Sequence, residues 1–348
     1  FAEVSVNKYG GKSSKVKYEG RDFYIQTPRM RLPYGISVYE EKDNDGKVTK
    51  QKFSLDMSFA GYEKNLRPDK LGFCPRRLER ITPWLEKYVD DGKLPFVALA
   101  VMRKGEVAYS SLYGQRDIEK GLPVLEDGLY RIYSMSKLIT TVTALSLFES
   151  GELMLDDPII KYLPNFSNQK VYSSGNFEDM ELQTLSSPIT IHQLMNHTSG
   201  LTYGAFDPGP VGRAMRKSQI DFGKTNESLE DLVDRLAKTP LWLQPGSRWR
   251  YGVSTDVLGR ILEVITGKNL GQVLRQRIFD PLKMSDTSFS VPDTKIDKFC
   301  ALYTKTNECS LKKLEDAKNS RFREPVSMNS GGGGLVSSMR DYVTFVEM

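Results

Sequence analysis

The alternation of apolar and polar positions divides this chain into stretches of different period. Through "KVKYEGRDFYIQ" and on to about residue 62, the two classes alternate nearly one for one. That is the period of a half-buried strand. Asn44, Asp45 and Gly46 stand between two such runs and read as a hairpin turn. Residues 1–62 are therefore expected to form a separate strand-rich N-terminal segment. It carries no His, no Cys and no phosphate loop, and reads as an appended β module without chemistry of its own. From Arg76 the period lengthens to that of a helix, and "FVALAVMRKGEVAYSSLYG" then reads as two strands joined at Lys104-Gly105. After Ser134, the residues Leu138, Ile139, Val142, Leu145 and Phe148 recur at helical spacing, and Gly151 ends the pattern. Residues from about 152 to 285 are mostly helical patterns between Pro- and Gly-bearing loops. A mixed stretch, the run Gly331–Gly334 and an amphipathic end complete the chain. The expected class is α+β: an antiparallel sheet flanked by helices, with a helical subdomain at about 152–285.

Composition narrows the function classes. The chain has 348 residues, 39% apolar and 27% charged, an ordinary globular balance. A net charge of +5, spread among interleaved acids, gives no basic block for nucleic acid. No apolar run approaches the ~18 residues of a membrane span. Three widely spaced cysteines suggest neither a disulfide framework nor a zinc site, and His192 and His197 lack the H-E-x-x-H spacing. No metal and no organic cofactor is expected. With only two histidines, an activated serine would need another base. The chain opens at Phe1 and closes at Met348 inside a helical pattern, so it reads as a piece of a longer protein. The cytoplasm is its default compartment, and no oligomeric state is implied.

Ser134 and Lys137 stand three apart, but that spacing occurs five times, at Ser5/Lys8, Ser14/Lys17, Ser134/Lys137, Ser167/Lys170 and Ser310/Lys313. Context separates them. A serine hydroxyl is a weak nucleophile and needs a base within hydrogen-bond reach and donors for the oxyanion. Ser134 falls at a helix start, where its own N–H could serve as one donor. Lys137 lies one turn on, with Leu138 and Ile139 to exclude solvent, and loss of solvent makes a lysine a better base. The other four pairs lie in charge runs, polar loops or near the chain end.

Four stretches in order then resemble the serine β-lactamase and penicillin-binding-protein superfamily. They are "YRIYSMSKLITTVTALSLFESGELMLDDP", "ITIHQLMNHTSGLTY", "PLWLQPGSRWRYGVSTDVLGRILEVITGK" and "NSGGGGLVSSMRDYVTF". The branch they are most similar to contains class C β-lactamases and family VIII carboxylesterases, and the likeness runs over roughly residues 70–348. The resemblance implies a β-lactamase/transpeptidase-like domain over 68–348, with its C-terminal strands lying past Met348. It implies Ser134 as the acylated nucleophile, Lys137 as its base partner and Tyr251 as the tyrosine that shares proton transfer. Trp249, Gly332 and Gly333 would contact substrate. His197 would belong to a supporting loop. The glycine run lacks the Lys-Ser/Thr of a phosphate loop and is expected to permit a close backbone approach.

Two departures shape the expected activity. The family's Tyr-x-Asn motif here reads Tyr251-Gly252-Val253, which removes the asparagine that holds a β-lactam amide. The third motif, Lys-Thr-Gly or its His/Trp variants, would follow the glycine run and is not within the chain. The expectation is a serine hydrolase working through an acyl-enzyme, foremost a carboxylesterase on small esters. The alternatives are a β-lactamase or D-amino-acid peptidase of the same fold, acting on amides, and a non-catalytic binding protein.

Overall fold

A computed structural model describes residues 66–348, except 221, 224–226, 308–309 and 324–325, and the backbone of five strands nearer the N-terminus. The chain divides into two compact units, Phe1–Gly114 and Gln115–Met348.

In the first unit, strands Glu3–Ser5, Ser14–Tyr18 and Arg21–Ile25 form an antiparallel meander. Strands Gly35–Lys42 and Val48–Asp56 pair from Gly35↔Asp56 to Lys42↔Val48. This is the ladder expected on either side of Asn44–Gly46, though the turn itself lies outside the described residues. Further on, strand Phe96–Arg103 pairs antiparallel with Glu106–Asp117, which runs on into the second unit. Lys104 and Gly105 join them with φ of 55° and 71°. Positive φ at both central positions gives a turn whose twist matches its strands, and glycine takes the second at no steric cost.

The second unit is organised by the helix Ser254–Thr266. It packs on helices Ser136–Glu149, Ile191–Met195, Leu229–Leu236 and Leu270–Leu274. Val257, Leu258, Ile261 and Leu262 along it are completely buried. The boundaries follow from local chemistry. Gly267 takes a left-handed φ of 65° and stops this helix. Asn269 then starts the next with a capping box to Gln272, as Ser228 does with Asp231 for Leu229–Leu236. The stretch expected to be helical also holds a hairpin, Lys170–Ser174 with Glu181–Thr184. Its second strand is exposed throughout, so it has no apolar alternation to read. No helix among the described residues is long and apolar enough to cross a membrane.

One expected face is corrected. Of Leu138, Ile139, Val142, Leu145 and Phe148, only Ile139 is buried; Leu138 is 56% exposed, and Leu145 and Phe148 are also exposed. The helix Ser136–Glu149 instead packs through Ser136, Lys137, Thr140, Thr143, Ala144 and Leu147. Thr140 and Thr143 can be buried because their hydroxyls find carbonyl acceptors, Thr143 at Ile139 of its own helix and Thr140 at Gly331. Small residues whose hydroxyls are satisfied let neighbouring segments approach closely, and a count of apolar positions overlooks them.

The packing assigns the Ser254–Thr266 helix a measurable weight. Leu262→Ala should lower the stability of the chain by about 2–5 kcal/mol in urea unfolding. A loss under about 1 kcal/mol would show that this helix is not the centre of the core.

Candidate active site

Ser134 sits in the single 3-10 turn Tyr133–Met135, between strand Leu129–Arg131 and helix Ser136–Glu149. Tyr133, just before it, has φ of 40°. That left-handed conformation costs a non-glycine residue roughly 1–2 kcal/mol, a strain the surrounding structure must hold in place. Strand Leu129–Arg131 pairs antiparallel with Val336–Ser338, in the register Val336↔Arg131 and Ser338↔Leu129. The residue that enters the serine turn and the residues that leave the glycine run are thereby clamped side by side, and Ile132 N–H also donates to Leu335 O at 3.1 Å.

Three side chains from the first turns of the serine helix secure the glycine run. Ser136 Oγ accepts from Leu335 N–H at 3.2 Å, Thr140 Oγ1 donates to Gly331 O at 2.9 Å, and Lys137 Nζ donates to Gly332 O at 2.5 Å. The expected close backbone approach is visible position by position. A Cβ would lie 2.9 Å from Thr255 O at Gly331, 2.3 Å from Asp256 Oδ2 at Gly332, and 2.9 Å from Ser330 O at Gly334. At Gly333 its nearest neighbour would be 3.8 Å away.

Tyr251 lies on the loop that leads into helix Ser254–Thr266. Arg250 N–H donates to His197 O at 2.8 Å, which ties this loop to the segment carrying His197 and Tyr203. Gly252 packs so tightly on Leu201 that a Cβ would stand 2.4 Å from its carbonyl oxygen. Val253 is buried, so the position of the motif's asparagine holds an apolar side chain here.

These elements bring three groups together. Ser134 Oγ and Tyr251 Oη share a 2.6 Å hydrogen bond. Lys137 Nζ donates to Ser134 Oγ at 3.4 Å and lies 5.0 Å from the centre of the Tyr251 ring. Lys137 is 8% exposed. Among the described residues, the other lysines of the repeated spacing are not so placed: Lys170 is exposed, and Lys313 is ion-paired with Asp117 and Glu119.

Two participants carry no role in the sequence reading. Tyr203 Oη accepts from Lys137 Nζ at 3.2 Å. Its phenol is pushed well above its usual range by burial first, then by Asp256 and Tyr251, so it stays protonated. Asp256, completely buried, accepts from Ser330 Oγ at 2.6 Å and from Gly332 N–H at 3.0 Å. Burial raises its carboxyl, while these two donors and the charge of Lys137 oppose the rise. Both residues lie in stretches that carry the family resemblance, so the segments were legible although the roles were not.

His197 packs its ring 5.1 Å from that of Tyr251 and 6.1 Å from that of Trp249. Burial, with the charge of Lys137 second, lowers its imidazole and keeps it neutral near pH 7. A cleft of about 1490 Å³ opens over Ser134 and Tyr251, with Gly332 and Gly333 in its wall. Tyr203, Phe206, Phe222, Phe289 and Phe322 give it aromatic surface. Trp249 stacks beside Tyr251, 65% exposed, and is not among the residues lining this cleft. Among the described residues no group of three or more His, Cys, Asp or Glu side chains could hold a metal ion.

The family model named Beta-lactamase matches residues 81–348. The chain belongs to the Beta-lactamase family. An uncharacterized protein of Mycobacterium tuberculosis is 32% identical over 264 residues, 76% of this chain and 64% of the relative. Esterase EstB of Burkholderia gladioli is 29% identical over 284 residues, 77% of this chain and 69% of the relative. Among solved structures, EstCE1, described as a hydrolase with promiscuous acyltransferase activity, superposes with a TM-score of 0.66 at 27% identity. The match covers 80% of this chain and 72% of that one. The fold is thus β-lactamase/transpeptidase-like, mixing helices with antiparallel sheets as expected. The chain spans about 64% of the length of the first curated relatives it matches.

The glycine contacts separate two neighbouring substitutions. Gly332→Ala, which would press a methyl group on Asp256, should cost about 1–3 kcal/mol in urea unfolding. Gly333→Ala, at the open position, should stay within about 0.5 kcal/mol of the parent. Equal losses at the two positions would contradict this packing.

Proposed function

We propose that this chain is a serine hydrolase acting on carboxylic esters through an acyl-enzyme, with Ser134 as nucleophile and Lys137 and Tyr251 as the proton-transfer pair. The observation that carries the reading is the 2.6 Å hydrogen bond between Ser134 Oγ and Tyr251 Oη, with Lys137 Nζ in reach of the same oxygen. In the proposed reaction the serine proton passes to the Lys137–Tyr251 pair as Oγ attacks the ester carbonyl. The tetrahedral oxyanion is met by the Ser134 N–H. The pair returns the proton to the leaving alkoxide as the C–O bond breaks. A water then attacks the acyl-serine, losing its proton to the same pair, which passes it to Ser134 Oγ as the acyl–Oγ bond breaks and the acid departs. Tyr203 and the Gly332 carbonyl hold the lysine through this cycle.

An ester suits the site better than a β-lactam. Tyr251 is followed by Gly252 and buried Val253, the latter in place of an amide-binding asparagine. Two relatives are esterases by name: esterase EstB, and the lovastatin esterase of Penicillium rubens, 33% identical over 214 residues. A second reading keeps the acyl-enzyme and changes the acceptor. An acyltransferase of Monascus pilosus is 28% identical over 281 residues, and a cleft of about 1490 Å³ has room for an alcohol beside the acyl group. Gly332 and Gly333 would then border the bound acyl chain.

With p-nitrophenyl butyrate, Ser134 should gain a butyryl group, visible by intact mass and peptide mapping. Ser134→Ala should abolish turnover, and Tyr251→Phe should lower kcat by about 100-fold or more. Full turnover by Ser134→Ala would remove this serine from the mechanism, and cleavage of nitrocefin without cleavage of the ester would reverse the substrate assignment. If acyl transfer operates, 1-butanol should speed p-nitrophenol release and yield butyl butyrate.

A further inference from the structure

Asp256 is a buried carboxylate beside the proposed machinery but not in reach of a substrate. It lies in the first turn of helix Ser254–Thr266 with no exposed surface. Oδ1 takes both of its hydrogen bonds, from Ser330 Oγ and Gly332 N–H. Oδ2 is buried with no hydrogen-bond partner. Each bond to Oδ1 is a donation to the carboxylate, and these bonds, the charge of Lys137 and the helix N-terminus favour the anion against the net upward push of burial. The peptide it grips is the one that matters to the lysine. Gly332 gives its N–H to Asp256 and its carbonyl to Lys137 Nζ. A single glycine thus stands between the carboxylate and the ammonium. Its missing side chain is required by Asp256 itself, since a Cβ would fall 2.3 Å from Oδ2.

We propose that Asp256 is a positioning residue for Lys137: it fixes the Gly331–Gly333 turn so that the Gly332 carbonyl meets the lysine, and it supplies the buried counter-charge to the ammonium. This rests on the proposed hydrolase reading for its consequence in catalysis, but not for its effect on the lysine. The titratable groups facing Lys137 are Tyr203 and Tyr251, with His197 and Asp256 near enough to exchange charge effects with them. Asp256 is the acid among them. Its anion favours the protonated lysine and disfavours a phenolate at Tyr251. Removing the charge therefore lowers the titration of the pair whichever member acts as base.

The test is a 13C NMR titration of the lysine side chains of the full chain, with Lys137 assigned by Lys137→Arg. Asp256→Asn keeps an acceptor for Ser330 and Gly332 and loses the charge. It should lower the Lys137 titration by about one pH unit. It should shift the acid limb of ester hydrolysis the same way, with kcat down about tenfold and KM within about twofold. Ser330→Ala, which keeps the charge and loosens the turn, should move the titration in the same direction by less. It serves as the deciding variant if Asp256→Asn does not fold. A Lys137 titration at its parent value in these variants overturns the proposal, even if kcat falls, because that pattern marks a merely structural role. Absence of any acyl-Ser134 in the parent chain would instead defeat the hydrolase reading and leave the titration to decide this one.

Discussion

Taking an ammonium out of water costs several kcal/mol unless its donors find acceptors and its charge finds an opponent. A lysine has three N–H donors, and at Lys137 the three partners are the Gly332 carbonyl, the Tyr203 phenol and the Ser134 hydroxyl. Each comes from a different part of the chain, and each must be brought within about 3.5 Å. Much of the second unit can be understood as the means of doing so. The strand pair Leu129–Arg131 with Val336–Ser338 sets the glycine run beside the serine turn. The Arg250 amide on the His197 carbonyl joins the two tyrosine-bearing loops. The buried helix Ser254–Thr266 anchors one loop and carries Asp256.

The same constraint explains the run of glycines. A backbone carbonyl can reach a buried lysine only if the backbone itself comes close to two helices. At Gly331, Gly332 and Gly334 a side chain would strike Thr255, Asp256 or Ser330. The run is therefore a packing requirement of the site, with Gly333 the one position open on the cleft side. This is the reverse of a phosphate loop, where glycines free N–H groups for a ligand. Here one of those N–H groups is committed to Asp256 and one of the carbonyls to Lys137.

How far the sequence could be read depended on whether a feature is local. The turn at Lys104-Gly105, the glycine stop at Gly151 and the serine at a helix start are set by residues within a few positions, and all three are where the pattern puts them. The ordered segments carried the family and the fold, and with them the approach of Ser134, Lys137 and Tyr251 to one another. The buried face of the Ser136–Glu149 helix was misread because Thr140 and Thr143 count as polar until their hydrogen bonds to the Gly331 and Ile139 carbonyls are seen. Tyr203 and Asp256 escaped for a different reason. Their roles exist only in contacts with Lys137 and Gly332, which lie 66 and 76 positions away along the chain. No period or spacing reports such a contact.

The position after Tyr251 shows how packing and chemistry are joined. Gly252 is demanded by the Leu201 carbonyl, and Val253 is drawn into the apolar core. A polar amide at Val253 would have to leave that core or find a buried partner, at a cost of about 1–3 kcal/mol if it found none. The absence of the asparagine is thus supported by the fold around it, and restoring it alone would not be expected to create an amide-binding site. On the proposed reading, substrate preference is written into the same close contacts that hold Ser134 and Tyr251, so a change of specificity has to begin with the loop backbone and only then reach the side chain.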